Sequence, residues 1–578
     1  MNSLKNNFKN HSINYNFITF FIFLFGIYLF SAYIQFTTSM NIDACNALHE
    51  ATLLFSGGKY FFDFYETTPP MFLYFDFPMV FILKHYPELN FFMVFFLYYL
   101  TLSTMTVALS YFIVNKIFKD TENIQKSIFL LTIAFVLLVQ PPYFFGQREH
   151  TALILTIPYF LLFALRLESK KIDTVLTVII AILASVGFAI KPQFCLAFFL
   201  TEIVLLIKRK SLFNIIRIEN SIIYSVFIPY TISTYMLYPA YFHVIIPLTL
   251  KFYYVGISQP FSSLFFQKHF IFALLTMIFF LLERKNNPKK ILCDAMFIGI
   301  LGYMLSYISE MVPWDYHIFT TFAFSIILNA LLLVAFFINK NESTLRRIAY
   351  VFFVFLVYLF NTLKIPNVYQ SHLVLFFCLL GFELAWFFKS YFCKKTLHIM
   401  STLFLALLIF IFPISSEFFA YKTGAFVKMI NQPIVYFLNK YAYNKPVYFF
   451  ESVLNYEYPP VDYAGAIHTS RFCYLLWLPS YLKEMLKDPD SKETLKLKKI
   501  HEYFMKLMSE DIARKKPEFI FVDASEYIAT PVFVIKNFQY LTLFSKTPEF
   551  QAVWKKYHYF DSINIVPYYK LDVYELNH

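Results

Sequence analysis

The chain has 578 residues, 58% of them hydrophobic and 15% charged, with a net charge of +12. A soluble core of this length has no use for so much apolar sequence, so the composition excludes an ordinary soluble globular protein and implies an integral membrane one. The six cysteines show no CxxC spacing, which supports neither a disulfide framework nor a structural zinc site. Phe and Tyr number 77 and 44, but both are abundant together with Ile, Asn and Lys, all encoded by A/T-rich codons. Aromatic abundance therefore carries no functional weight.

Taken in chain order, the first apolar span follows Lys5 and Lys9, covers 17–36 and has no small-residue cleavage site, so it reads as a retained signal anchor. Further apolar runs at 91–114, 127–141, 150–165, 173–190, 194–207, 220–238, 269–282, 291–308, 318–338, 347–362, 371–388 and 397–414 bring the spans to about thirteen. With that number, every basic loop falls on the side of the N-terminus. These include the loops with Lys116 and Lys119, with Arg166 and Lys170, and with Lys208 and Arg209, then those with Arg284 and Lys289, with Arg346 and Arg347, and with Lys394 and Lys395. Positive charge retained on one side explains the net charge, and a nucleic-acid partner is not needed.

The opposite side collects polar clusters. The first is the long external loop 38–90, with Asp43, His49, Glu50, Gly57, Gly58, Asp63, Glu66 and Pro69-Pro70, longer than a helix connection requires. The second is Gly146, Gln147, Arg148, Glu149 and His150. Cation and acid side by side at a bilayer boundary are costly unless they face water, a ligand or one another. The third is Lys191 before Pro192, the nearest basic partner in sequence for Glu202 inside the next span. For this pair a structural and a functional reading are evenly balanced. The fourth is Trp314, Asp315, Tyr316 and His317 after Glu310. Trp314 reads as an interface-belt residue, whereas His317 at the mouth of a span can donate to phosphate or pass a proton.

After about residue 441 the sequence becomes mixed and charged. Strand-like KPVYFF (445–450), a basic amphipathic helix near 491–515, strand-like FIFVDA (519–524) and YYKLDVYEL (568–576) predict a small extracytoplasmic α/β domain over 441–578, following a transmembrane domain over 1–440. The turn-rich stretch 454–472 joins its first strand to the rest. The predicted fold class is thus a polytopic α-helical membrane protein with about thirteen helices and a C-terminal α/β domain.

In this layout the chain resembles the GT-C superfamily of polyprenyl-phosphate-dependent glycosyltransferases, such as protein O-mannosyltransferases and the bacterial lipid A aminoarabinose transferase. GGKYFFDFYETTPPMFLYF (57–75) is similar to the run that follows the catalytic acid in that group, and GQREH with Pro158-Tyr159 resembles a bacterial subgroup. Many members carry Asp-Glu at the catalytic position, whereas Asp43 is followed by Ala44 here. The resemblance implies a sugar on a polyprenyl phosphate as donor and a lipid, glycan or protein hydroxyl as acceptor, joined by inverting displacement at the periplasmic face of a bacterial inner membrane. It assigns catalysis to Asp43 and Glu149, donor-phosphate binding to Arg148, Lys191 and His317, and substrate contacts to Glu50, Gln147, His150 and Tyr316. It requires no cofactor. A divalent metal on Asp43, Glu149 and His150 has no spacing motif behind it. A glycan ligase of O-antigen type, relying on leaving-group cations, and a secondary transporter stay open as alternatives. The transporter reading lacks internal repeats and midplane charges.

Overall fold

The computed structural model describes residues 2–257, 261–338, 432–452, 456–529, 534–536, 538–566 and 569–578. The chain divides into two compact units, one of Met1–Thr38, Phe95–Phe227 and Pro260–Ala425, the other of Ser39–Val94, Ile228–Gln259 and Phe426–His578.

The first unit is helical. Its helices are α1 (Asn2–Thr37), most of α4 (Phe91–Ile117), α5 (Asn123–Leu138), α6 (Arg148–Leu167), α7 (Thr174–Ala189), α8 (Cys195–Arg209) and the start of α9 (Ile218–Leu237). After α10 (Ile246–Ile257), which belongs to the second unit, and α11 (Phe261–Phe265) follow α12 (Lys268–Glu283), α13 (Lys290–Glu310) and α14 (Phe319–Ile338). The predicted spans up to 318–338 all fall on helices, and those at 347–362, 371–388 and 397–414 lie outside the described residues. Ile18–Thr37, Phe91–Ile117, Arg148–Leu167 and Lys290–Glu310 are long and apolar enough to cross a bilayer, and α5, α7, α12 and α14 are shorter apolar helices.

α6 is the axis of this unit, buried along nearly its whole length and packed against α7, α13 and α14. α1 is the contrast, exposing Ile18, Ile22 and Phe25 along its outer side. Such faces are stable only when hydrocarbon covers them, and the protein is an integral membrane protein. At Gly302 of α13 a Cβ would come within 2.5 Å of the Ala197 backbone on α8, so glycine sets the spacing of that helix pair.

A charged knot closes one end of the helices. Glu219 accepts from Arg166 Nε at 2.9 Å and Arg217 Nε at 2.8 Å, and Glu202 accepts from Arg217 Nη2 and Asn220 Nδ2, both at 2.5 Å. The partner of Glu202 is therefore Arg217 and not Lys191, as its nearness in sequence suggests.

The second unit opens with the segment expected to be a long loop. It contains two helices, α2 (Ile42–Phe55) and α3 (Met71–His85). Asn41 caps α2, its Oδ1 accepting from Asp43 N at 2.9 Å and Ala44 N at 3.1 Å. Between the helices, Glu66 Oε1 accepts from Thr68 N at 2.6 Å and Thr68 Oγ1 at 2.8 Å, fixing the turn into Pro69-Pro70 and α3.

The tail forms a five-stranded mixed sheet in the order β2-β1-β3-β7-β6. Its strands are β1 (Pro446–Phe450), β2 (Ile467–His468), β3 (Phe519–Asp523), β6 (Tyr557–Val566) and β7 (Tyr569–Leu576), and a separate hairpin pairs β4 (Tyr527–Ala529) with β5 (Val534–Lys536). β1 runs parallel to both β2 and β3, while β7 is antiparallel to β3 and β6. Phe449 and Phe521 stack with centroids 4.6 Å apart in a core completed by Val447, Phe519, Leu571, Val573 and the helix α15 (Pro433–Tyr441). The other tail helices are α16 (Pro460–Ala464), α17 (Leu478–Lys487), α18 (Lys492–Lys515), α19 (Tyr540–Phe544) and α20 (Pro548–Trp554).

Two arginines clasp the α2–α3 turn to this tail. Buried Arg471 binds Asp511 with Nε and Nη2, both at 2.8 Å, and donates Nη1 to Phe61 O at 3.2 Å. Arg514 donates to Phe62 O at 3.3 Å and lies 3.6 Å from Asp63.

Candidate active site

In the first unit four predicted or adjacent polar residues meet. Glu149 lies in the first turn of α6, Lys191 in the break between α7 and α8, Glu310 at the last position of α13 and His317 in the turn before α14. Each comes from the end of an apolar helix, where the backbone is free to turn and a charged side chain need not cross hydrocarbon. Lys191 Nζ donates to Glu149 Oε1 at 2.5 Å and reaches Glu310 Oε2 at 3.3 Å. His317 Nδ1 lies 3.0 Å from the same Glu310 oxygen.

All four are buried, and the rings of Phe194 and Tyr316 stand 5.7 and 5.9 Å from the ammonium. Burial by itself lowers the Lys191 pKa, but Glu149 and Glu310 outweigh it and hold the group above the ordinary lysine value, with Arg148 opposing weakly. Glu149 is held by one oxygen only: its Oε2 is buried without a hydrogen-bond partner. Lys191 Nζ has three carboxylate oxygens within reach, Glu149 Oε1 and both oxygens of Glu310, the latter pair at 3.3 and 3.4 Å.

Glu149, Glu310 and His317 also bring ligand atoms within 4.8 Å of one another, a donor set fit for a cation. Lys191 Nζ already pairs with both carboxylates of that set and supplies positive charge to them.

The other sequence candidates have definite places. Arg148 opens α6 after Gln147, its buried N-cap. His150 is fully buried and closes the preceding turn: Gly146 N donates to Nδ1 at 2.9 Å and Nε2 donates to Leu137 O at 2.8 Å. Both its nitrogens are thus engaged by backbone. Gly146 has φ +78°, and a Cβ there would fall 2.1 Å from the Phe95 ring, so this turn admits only glycine. In the second unit Asp43 is half-buried in the first turn of α2, and Glu50 is buried on the same helix. Glu310, the member the sequence does not single out, stands four residues before the Trp314–His317 cluster, and that nearness is its one signal.

The second unit has a buried polar group of its own. His468 Nε2 lies against Glu457 Oε1, and the His49 ring is 5.3 Å from that of His468 and 5.7 Å from that of Tyr458. Burial lowers both imidazoles to about 3, helped at His49 by His468. It raises Asp462 to about 7 and Glu457 well above the carboxylate range. Burial thus favours the neutral form of each member, and the positive charge of Lys515 adds to the lowering at both histidines.

No protein-family model matches the sequence, and no curated protein does. Among solved structures, ArnT from Cupriavidus metallidurans bound to undecaprenyl phosphate superposes over 96% of this chain and 97% of its own, with 10% identity and a TM-score of 0.53. The fold is of the GT-C type. The archaeal oligosaccharyltransferase AglB from Archaeoglobus fulgidus, in complex with an inhibitory peptide and a dolichol-phosphate, aligns over 87% of this chain and 69% of its own at 10% identity and a TM-score of 0.42.

Proposed function

We propose that this GT-C protein is a glycosyltransferase that moves a sugar from a polyprenyl phosphate to an acceptor hydroxyl with inversion, at the periplasmic face of a bacterial inner membrane. The observation that carries the reading is the buried Lys191 group, a cation built into the ends of apolar helices, held closely by Glu149 and only at 3.3 and 3.4 Å by Glu310. Support also comes from the shared fold with ArnT, whose solved structure holds undecaprenyl phosphate.

In this reading Lys191, Arg148 and His317 stabilise the phosphate as the glycosidic bond breaks and negative charge grows on the leaving oxygen. Glu149 and Glu310 orient Lys191 and keep it charged. Asp43 is the base that removes the acceptor proton while the acceptor oxygen attacks the anomeric carbon. The acceptor is a lipid, glycan or protein hydroxyl, with Gln147, Tyr316, Glu50 and His150 shaping or bounding the substrate contacts.

The test is transfer of radiolabelled sugar from a panel of polyprenyl-phosphate sugars in membranes carrying wild type, Lys191→Ala, Glu149→Gln or Asp43→Asn. We expect transfer by the wild type and a loss of at least about a hundredfold in Lys191→Ala and Asp43→Asn. Full transfer by Asp43→Asn removes it as base, and full transfer by Lys191→Ala overturns the phosphate assignment.

A further inference from the structure

The C-terminal sheet has a feature that the transfer reaction does not use. The chain leaves β1 for β2 on one side and then crosses over to β3 on the other, so the strand order reverses between β1 and β3. In open α/β sheets, ligands bind in the crevice that such a reversal leaves outside the carboxyl ends of the strands. Those ends carry polar groups here: Glu451 and Ser452 directly after β1, and Asp523 and Ser525 where β3 finishes.

A cavity of about 900 Å³ opens beside this reversal, at the carboxyl end of β3 and over β6 and β7, lined by Asp523, Ser525, Gln539, Tyr540, Asn564 and Tyr569 among others. It is at the upper end of the range of small-molecule sites, about 300–1,000 Å³. Its lining side chains are tied to one another, and to Glu451 and Ser452 outside the lining, before any ligand arrives. Tyr569 Oη donates to Glu451 Oε2 at 3.1 Å, Ser525 donates its N and Oγ to Asp523 Oδ1 at 3.0 and 2.5 Å, and Tyr540 Oη shares a 2.5 Å hydrogen bond with Ser452 Oγ. Glu451 is fully buried and its Oε1 has no hydrogen-bond partner.

We propose that this crevice binds an unphosphorylated carbohydrate, with Asp523, Asn564 and Gln539 hydrogen-bonding ring hydroxyls and Tyr540 and Tyr569 packing against the sugar. The charge pattern selects that class. Lys570, the basic residue of the lining, is tied to Asp572 at 2.9 Å, and the lining contains no glycine with which backbone N–H groups could cradle a phosphate. Acids at the strand ends repel an anion but suit vicinal hydroxyls, which donate to carboxylate oxygens. Burial raises the pKa of both Glu451 and Asp523, which favours forms able to donate as well as accept. The proposal does not depend on the transfer reaction, because its residues and its readout are separate.

The test uses the full-length chain in lipid nanodiscs on an array of neutral oligosaccharides of two to four sugars, with inorganic phosphate as competitor. At least one oligosaccharide should be retained saturably. Retention should fall tenfold or more in Asp523→Ala and in Asn564→Trp, which fills the cavity from an exposed position, and should persist in Lys496→Ala on the exposed face of α18. An unchanged melting temperature for Asn564→Trp separates loss of the site from loss of the fold. No retention by the wild type, retention equal in the wild type and Asn564→Trp, or displacement by millimolar phosphate overturns the proposal.

Discussion

The two buried polar groups of this molecule solve the same problem in opposite ways. In the helical unit Lys191 is placed between Glu149 and Glu310, so buried charges are kept by pairing them. In the second unit burial moves His49, His468, Glu457 and Asp462 each toward its neutral form, and the nearby charge of Lys515 pushes the two histidines the same way. A paired site offers charge to a ligand; a neutral one offers only hydrogen bonds and shape. On the proposed function, the difference is what favours the helical unit over the second group for phosphate binding.

The contrast can be broken most severely at Lys191. Lys191→Met leaves buried Glu149 without its cation and Glu310 with His317 alone, and should cost about 3–5 kcal/mol, seen as a large drop in the thermal midpoint of the detergent-solubilised chain. Lys191→Arg, which keeps the charge, should recover most of it. Next comes Gly146→Ala, expected to cost about 2–4 kcal/mol, because the added Cβ meets Phe95 and must also adopt a left-handed backbone.

A subtler effect distinguishes the neutral group. His49 and His468 have folded pKa values of about 3 against 6.5, so they stabilise the fold above pH 6.5 and that contribution is lost as pH falls toward 3. Asp462, raised from 3.8 to about 7, acts with the other sign: its contribution is lost as pH rises from about 4 to 7. The two trends oppose each other, so Asp462→Asn should make the melting temperature climb more steeply with pH over that window than in the wild type. An unchanged slope would show that Asp462 is ionised in the fold. The smallest effect belongs to a solvated pair: Lys496→Ala, which removes a 3.1 Å contact to Glu493, should change stability by less than about 0.5 kcal/mol.

Much of this was legible in the sequence because hydropathy and alternation are local properties. The spans up to 318–338 coincide with helices, and β1, β3, β7 and α18 lie where KPVYFF, FIFVDA, YYKLDVYEL and the 491–515 stretch place them. β6 escaped notice: Asp561, Ser562 and Asn564 interrupt its apolar pattern, and its pairing with β7 is irregular at two points, as suits an edge strand. α2 and α3 were hidden by the charges, glycines and prolines around them, although Asn41 ahead of Asp43 is a capping signal. Glu149, Lys191 and His317 stood out as polar residues at span ends. Their meeting, with Glu310 as the fourth member, depends on how α6, α13 and the α7–α8 break pack. The distance between Lys191 and Glu202 in sequence carries no information about that.

The clasp on the α2–α3 turn sets an order of assembly. Phe61 and Phe62 give their carbonyls to Arg471 and Arg514, partners 410 and 452 residues further along the chain. A ribosome must therefore make nearly the whole protein before this turn can lock. Until then the second unit exists only in pieces on either side of the helical spans, and a chain stopped short of residue 514 leaves its earliest external segment without its fastening.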